Sequence, residues 1–137
     1  MREKWVELTK GFEGLRLKPY TCPAGKLTIG YGHNLEANGI TEEMAEVLLR
    51  TDLACARMEV CAKFPWIIKL NEPRQYVLVD MCFNMGISRL LTFKKMLAAL
   101  REGQYERASL EMLDSKWAKQ VGKRATRLAE IMKKGEY

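Results

Sequence analysis

Residues 13–33 read E-G-L-R-L-K-P-Y-T-C-P-A-G-K-L-T-I-G-Y-G-H, and this stretch decides how the rest of the chain is understood. It contains the only histidine, His33, and three candidate reactive side chains at fixed intervals. Glu13 is followed after eight residues by Cys22, and after five more by Thr28. Most of the remaining sequence is typical of helical scaffold, so we expect the chemistry of this protein to lie here.

The same stretch predicts a change from helix to sheet. Trp5, Leu8 and Phe12 recur at helical spacing and predict a short amphipathic helix that ends near Glu13. A carboxylate at that end is unusual, because the helix dipole favours cations there. Residues 15–35 are rich in Pro and Gly and alternate apolar with polar side chains. We therefore expect a small antiparallel sheet with its first turn at residues 23–25.

Apolar residues recur at helical spacing downstream of residue 40. The predicted helices run from Thr41, as N-cap, to the breaker Pro65, from Asn71 to Gly86, from Thr92 to Leu100, from Gln104 to Asp114, and from Gly122 to Lys134. A chain of 137 residues is one domain by length. We predict an α+β architecture, with a small β-containing lobe at about 13–50 joined by a long helix to a helical lobe of 1–12 and 51–137.

Composition and charge narrow the class of protein. The apolar content of 47% and the charged content of 29% are ordinary for a soluble globular domain. The N-terminal sequence has no uninterrupted apolar stretch, so we expect no signal peptide and a cytoplasmic location. Residues 1–88 are electrically balanced, and residues 89–137 carry the whole net charge of +6. That excess fits a polyanionic partner, namely nucleic acid, anionic lipid or an acidic wall polymer, and equally fits a solvated helical face.

The cysteines favour reduced thiols over a metal site or a disulfide scaffold. Cys55, Cys61 and Cys82 fall in apolar helical segments and are predicted to be small buried hydrophobes. A zinc site is not expected, because the chain has no CxxC pair and one His. Cys22 differs from the other three because it lies in a turn-rich loop.

Several other apolar side chains are predicted to serve packing. They are Phe83, Trp117 and the methionines Met44, Met58, Met81, Met85, Met96 and Met112.

The residue types at Glu13, Cys22 and Thr28 suit glycoside hydrolysis. A Glu at a helix end facing a turn-rich loop is placed for general acid work. A thiol and a hydroxyl on the opposite wall are able to hold a water molecule or to attack a carbon. Hydrolysis of a glycosidic bond requires such opposed groups, with a wider gap when water is the nucleophile. The spacing alone does not establish this chemistry, because a Glu near a Gly-rich loop is more often a solvent-exposed side chain without a catalytic role.

The motif E-G-L-R-L-K-P-Y-x7-T-I-G-Y-G-H resembles the active-site motif of the phage endolysins related to the T-even phage lysozyme, the glycoside hydrolase family 24 muramidases, and the resemblance implies their lysozyme-like α+β fold. In that family the pattern is Glu, eight residues, Asp or Cys, five residues, Thr. Two later segments also resemble the family, namely residues 82–86 (C-F-N-M-G), and residues 115–117 (S-K-W) followed by 124–127 (R-A-T-R). The resemblance covers nearly the whole chain.

The resemblance implies a role for each matching residue. Glu13 would be the general acid, Cys22 would help to position or activate the attacking water or stabilise charge on the sugar, and Thr28 would hold that water. The supporting residues implied are Arg124 as the partner of Glu13, Arg16 beside it, and a brace between His33 and Asp52. The implied substrate-binding residues are Tyr20, Tyr31, Asn84 and Phe93.

Two features depart from the familiar members of the family. Cys22 stands where most members have Asp, and a thiol is neutral at pH 7 unless its environment lowers its pKa. The segment from His33 to Thr41 is also short, so fewer residues would line the cleft.

The resemblance implies an endolysin, a lysozyme that hydrolyses the β-1,4 bond between N-acetylmuramic acid and N-acetylglucosamine in peptidoglycan. No cofactor, metal or nucleic acid is implied. The protein is expected to be a monomer that stays in the host cytoplasm until lysis and reaches the wall through a separate pore-forming protein. Water attack with inversion is the implied outcome.

The alternative is a non-catalytic, basic wall- or membrane-binding protein. Nucleic-acid binding is a weaker option, because no motif for it is present.

Overall fold

The computed structural model describes residues 2–137. The chain divides into two compact units, Met1–Val47 and Leu48–Tyr137. The first helix is grouped with the sheet in the first unit, whereas the sequence was read as joining residues 1–12 to the helical lobe. That joining stays a prediction. The α+β class is confirmed, because a small antiparallel sheet is followed by a series of helices.

The first unit contains a three-stranded antiparallel sheet in the order β1-β2-β3. A β-bulge interrupts the pairing of β1 with β2 between Arg16 and Tyr20. A short helix follows β3, and its first turn is capped by Asn34, whose Oδ1 accepts a hydrogen bond from the backbone N–H of Ala37 at 3.0 Å. The elements are α1 (Glu3–Glu13), β1 (Arg16–Thr21), β2 (Leu27–Gly30), β3 (His33–Asn34) and α2 (Leu35–Asn38).

Helix α1 forms as predicted, but its apolar side chains are exposed to solvent. Trp5 and Leu8 are at least half exposed, and Phe12 is 85% exposed. Within residues 2–47, the buried side chain is that of Thr28. Backbone pairing in the sheet, and not an apolar core, therefore organises the first unit.

The second unit is helical. The long helix α3 (Glu42–Lys63) begins at Glu42, which is before Leu48, the first residue of this unit. Thr41 caps this helix as predicted, since its Oγ accepts a hydrogen bond from Met44 N–H at 3.2 Å. The helices are α3 (Glu42–Lys63), α4 (Glu72–Met85), α5 (Ile87–Leu90), α6 (Lys94–Arg101), α7 (Tyr105–Leu113), α8 (Lys116–Val121) and α9 (Lys123–Lys134), with a 3₁₀ helix at Pro65–Lys69. No helix among residues 2–137 is long and apolar enough to cross a membrane.

One helix prediction needs correction, and four short helices were not predicted. Thr92 was expected to cap a helix, but its hydroxyl donates to the Arg89 carbonyl at 2.6 Å and α6 begins at Lys94. The reason is the short helix α5, which ends at Leu90 and leaves Thr92 in the following turn. Four short elements were not predicted, because none is long enough to show a helical period; these are α2, α5, α8 and the 3₁₀ helix.

The apolar core lies in the second unit, and α3 contributes only one face to it. Ala56 and Val60 are the buried residues of that helix. Cys55 and Cys61 lie on its other faces and are exposed, so the prediction that they are buried is wrong. Cys82 on α4 is buried, as predicted.

Some of the other packing predictions are also confirmed and others are wrong. Trp117 is a core residue, with 1% of its surface exposed, whereas Phe83 is 38% exposed and was wrongly assigned to the core. Met81, Met96 and Met112 are buried, Met85 is half-buried, and Met44 and Met58 are exposed on α3. Helical spacing identifies a face but not whether a neighbour covers it.

Arg74 on α4 caps the C-terminal end of α9. Its guanidinium donates from Nε to the Met132 carbonyl at 2.8 Å and from Nη2 to the Lys133 carbonyl at 3.0 Å. These carbonyls lie in the last turn, where helical partners are missing and a cation is favoured by the helix dipole. The same guanidinium lies 3.6 Å from the centre of the Tyr105 ring. One side chain thereby connects α4, α7 and α9.

Replacement of Arg74 by Ala should lower the free energy of unfolding by about 2–3 kcal/mol, because hydrogen bonds from a charged donor are lost and two carbonyls lose their partner. Urea unfolding followed by circular dichroism measures this change. Arg101→Ala, at an exposed position of α6, is the control and should change stability by less than about 0.5 kcal/mol. Equal losses in the two variants would contradict the capping role.

Candidate active site

Glu13 is the last residue of α1, as predicted. The helix ends because Gly14 follows with φ +71°, and the Gly14 N–H closes the last turn on the Lys10 carbonyl at 2.9 Å. The Glu13 side chain is exposed. Its carboxyl group is therefore held at the point where the chain leaves the helix for strand β1.

The turn between β1 and β2 places Cys22 beside β2. The Cys22 N–H donates to the Lys26 carbonyl at 2.9 Å, and the Gly25 N–H donates to the Cys22 carbonyl at 2.8 Å. The turn thus lies at residues 23–25, as predicted. In the pairing that follows, Tyr20 is opposite Thr28. Cys22 and Thr28 consequently lie near the same end of the hairpin.

An open cavity of about 420 Å³ in the first unit brings the main predicted residues together. Five of them line it, including all three candidate catalytic side chains. Its lining residues are Glu13, Arg16, Tyr20, Cys22, Pro23, Thr28, Gly32 and Asn34. The interval of eight and five residues in the sequence therefore corresponds to a shared site in space.

The surroundings of Cys22 lower the pKa of its thiol. A hydrogen bond from the Lys26 backbone is the largest influence that lowers the pKa of this thiol, and the Ala24 backbone and the Thr28 side chain lower it further. Partial burial opposes them by raising the pKa, but the net direction is downward. A hydrogen bond donated to a thiolate stabilises the charged form. Cys22 is thereby a better substitute for a carboxylate than an ordinary thiol would be.

Thr28 lies on the opposite strand and is 3% exposed. Its hydroxyl donates to the Lys26 carbonyl at 2.8 Å. A hydroxyl has a single proton, so in this arrangement the Thr28 Oγ is left as an acceptor. It can accept a hydrogen bond from a water molecule, or redirect its proton to the Cys22 thiolate.

Arg16 and Tyr20 form one side of the same cavity. The Arg16 guanidinium lies over the Tyr20 ring, 4.8 Å from its centre. A cation in this position is attracted by the ring quadrupole, which limits the freedom of both side chains. Arg16 thus brings a positive charge to the cavity that contains Glu13.

The other six predicted residues are not among those that line this cavity, and His33, Tyr31 and Asp52 are three of them. His33 Nε2 lies 2.6 Å from the Gly39 carbonyl and therefore carries the proton, which ties β3 to the end of α2. Tyr31 is exposed, and Lys10 lies 5.3 Å from the centre of its ring. Asp52 is exposed on α3 in the second unit. The brace between His33 and Asp52 stays a prediction.

Arg124 in the second unit forms a bidentate ion pair with Asp80. Its Nε and Nη2 atoms donate to the two carboxylate oxygens of Asp80, each at 2.9 Å. The Tyr76 hydroxyl donates to the same carboxylate at 3.4 Å. Hydrogen bonding to Asp80 raises the pKa of Arg124, and partial burial together with the Asp80 charge raises the pKa of Tyr76. The pairing of Arg124 with Glu13 stays a prediction.

Asn84 and Phe93, the predicted substrate-binding residues of the second unit, both contact Trp117. The indole N–H of Trp117 donates to Asn84 Oδ1 at 2.8 Å. The rings of Phe93 and Trp117 meet edge to face with their centres 6.1 Å apart. Phe93 and Trp117 line an open cavity of about 450 Å³ that also contains several charged side chains. Their role in binding stays a prediction.

Sequence reasoning missed two residues of functional interest. Asp80 is a carboxylate among the buried residues Val77, Leu78 and Met81, and a charge in such a run signals a cation partner. Gly32 belongs to the stretch of residues 15–35 that is rich in Pro and Gly, and no pattern in the sequence indicates that it lines the cavity. Among residues 2–137, no cluster of His, Cys, Asp or Glu has an arrangement that could hold a metal ion.

Comparison with known proteins identifies the family to which this chain is similar. The family model for phage lysozyme matches residues 10–134. The chain is 39% identical to an endolysin of Acyrthosiphon pisum secondary endosymbiont phage 1, over 89% of this chain and 84% of the relative. It is 27% identical to a probable T4-type lysozyme of Dictyostelium discoideum, over 94% and 93% of the two chains. It is 35% identical to an endolysin of Bacillus phage B103, over 86% of this chain and 45% of that relative.

The family match begins before Glu13 and ends at the last residue of α9, so it includes the cavity of the first unit and the helical core of the second. With a relative above 30% identity covering most of both sequences, the resemblance is not confined to a motif. The chain belongs to the phage lysozyme family and is a lysozyme.

Proposed function

We propose that this protein is an endolysin that hydrolyses the β-1,4 bond between N-acetylmuramic acid and N-acetylglucosamine in bacterial peptidoglycan. The observation that carries the proposal is the shared cavity of Glu13, Cys22 and Thr28. Endolysin relatives support the peptidoglycan-hydrolysing role. Family membership also favours an enzyme over the alternative of a non-catalytic wall- or membrane-binding protein.

In the proposed reaction, Glu13 donates its proton to the glycosidic oxygen as the bond from that oxygen to the sugar carbon breaks. A water molecule attacks the same carbon from the opposite face, and the product sugar is inverted. The water is held between Cys22 and Thr28, and one of its O–H groups donates a hydrogen bond to Thr28 Oγ. That hydrogen stays on the hydroxyl of the product sugar, while the other proton passes to the Cys22 thiolate and then to solvent, and Glu13 is protonated again from solvent.

The lowered pKa of Cys22 supports this division of roles. A thiolate can accept the proton of the attacking water and can also stabilise positive charge on the sugar ring, as a carboxylate would. A neutral thiol would do neither well. The proposal therefore treats Cys22 as a proton acceptor and charge stabiliser and not as a covalent nucleophile.

We also propose that the remaining predicted residues act around this centre. Tyr20, Tyr31, Asn84 and Phe93 would contact the glycan or its peptide, and Arg16 would support the acid. The protein would act as a monomer, accumulate in the host cytoplasm, and reach the wall after a separate protein opens the membrane. The support for these points is the resemblance to endolysins.

Glu13→Gln should reduce kcat for clearing of purified peptidoglycan by about 10²–10⁴-fold, because an amide cannot donate the catalytic proton. Turbidity and release of reducing ends measure this loss. Glu7→Gln is the matched control, since Glu7 lies on the same helix and is exposed. Equal clearing by wild type and Glu13→Gln would refute the assignment, and no clearing by either would favour the binding-protein alternative.

Substitutions at Cys22 test the thiolate role. Cys22→Asp should keep much of the activity because Asp is anionic at neutral pH, whereas Cys22→Ser should lose most of it. In a Cys55→Ser/Cys61→Ser background, alkylation of Cys22 by iodoacetamide should reach half its maximal rate at a lower pH than alkylation of glutathione, because the pKa of Cys22 is lowered. Full activity of Cys22→Ser, or an alkylation midpoint at or above that of glutathione, would contradict the role.

The basic excess of residues 89–137 should make activity on whole walls sensitive to salt. Raising the ionic strength from about 0.1 M to 1 M shortens the screening length from about 10 Å to about 3 Å. Clearing of whole walls should then fall more steeply than cleavage of short soluble fragments, which engage fewer charges. Parallel assays on the two substrates measure the difference, and a flat response on whole walls would remove the electrostatic argument.

A further inference from the structure

The space beside Gly32 is occupied by the side chain of Glu13. A Cβ atom built on Gly32 would lie 2.7 Å from Cδ and 3.2 Å from Cγ of Glu13, and its nearest neighbour would be Oε2 of the same residue. The first of these separations is shorter than real Cβ atoms tolerate. The carboxyl group of Glu13 therefore rests on the face of Gly32 where any other residue has its side chain.

Gly30 gives a comparison within the same turn. Gly30 and Gly32 both have positive φ, at +69° and +74°, so a side chain at either position strains the backbone in the same way. A Cβ on Gly30 would meet nothing within 4 Å. Backbone conformation thus accounts for both glycines, but only Gly32 has a further steric reason to lack a side chain.

The position of Gly32 connects Glu13 to the rest of the cavity. The turn from β2 to β3 runs between the paired residues Ile29 and His33, and Thr28 directly precedes that pair on β2. One hairpin therefore carries both Thr28, on the water side, and the backbone against which the Glu13 side chain rests. Pairing of β2 with β3 fixes the separation between these two points.

We propose that Gly32 is a positioning residue for the catalytic acid. The space left by its missing side chain holds the Glu13 carboxyl group, and we call this space the seat. The proposal rests on the proposed role of Glu13 as proton donor. Glu13 needs such a seat because it is exposed at a helix end, where its side chain would otherwise rotate freely. A methyl group at position 32 displaces the carboxyl group from the cavity.

The fold should survive this substitution. The three heavy atoms nearest to the added methyl group belong to the side chain of Glu13, and none of the three belongs to the backbone. An exposed side chain can rotate away into solvent, so the clash moves the acid and leaves the hairpin in place. The expected defect is consequently in the chemical step and not in folding or substrate binding.

The experiment compares Gly32→Ala with Gly30→Ala, which imposes similar backbone strain without the clash. Both variants should lose similar amounts of thermal stability. On soluble peptidoglycan fragments, kcat should fall about a hundredfold in Gly32→Ala, as expected for a reacting group displaced by about 1 Å, while KM stays within about threefold of wild type. Gly30→Ala should retain most of its kcat. Equal kcat in the two variants would overturn the proposal.

Two NMR measurements decide the contact independently of activity. In the wild type, a nuclear Overhauser effect should connect the Gly32 α-protons to the Glu13 γ-protons, and its absence would overturn the proposal even if Gly32→Ala does not fold. The ¹³C resonance of the Glu13 carboxyl group, assigned with Glu13→Gln, should shift in Gly32→Ala and not in Gly30→Ala. A wild type without hydrolase activity would refute the proposed function, and these measurements would then decide the steric contact alone.

Discussion

The hydrogen bond from the Cys22 N–H to the Lys26 carbonyl is the interaction on which the candidate site depends. It closes the turn between β1 and β2 and sets the register that places Tyr20 opposite Thr28. The same turn directs backbone N–H groups at the Cys22 sulfur, which lowers the pKa of the thiol. One piece of backbone geometry therefore determines both where Cys22 lies and how acidic it is. The chemistry proposed for the site follows from this turn.

The two units of the chain are stabilised in different ways. The second unit has a continuous apolar core, Arg74 donates hydrogen bonds to carbonyls at the end of α9, and Arg124 pairs with the Asp80 carboxylate. The first unit buries little apart from Thr28 and relies on strand pairing, capped turns and the bond from His33 to Gly39. A site assembled from exposed groups on such a unit needs local constraints on each side chain. The Arg16–Tyr20 contact and the seat at Gly32 have this effect.

Much of the fold could be predicted from the sequence because it depends on local preferences. Glycine and proline marked the turn at residues 23–25, and Thr41 marked the start of α3, where its side chain does cap the helix. The errors have one physical origin. Helical spacing assigned Cys55, Cys61 and Phe83 to the core, but each is exposed because burial depends on what packs against a face. Short helices such as α5 escaped prediction, and the misplaced cap at Thr92 followed from that omission.

For the site, the sequence by itself determined the identity and spacing of Glu13, Cys22 and Thr28, because the motif is continuous and the residue types are chemically specific. Only the tertiary structure decided that these side chains share one cavity with Arg16 and Tyr20, while His33 and Tyr31 lie outside it. The partnership of Asp80 with Arg124 and the space beside Gly32 were also decided there. A sequence lists the groups that a chain carries. Which atoms meet, and which position must stay empty, depends on how strands and helices pack in three dimensions.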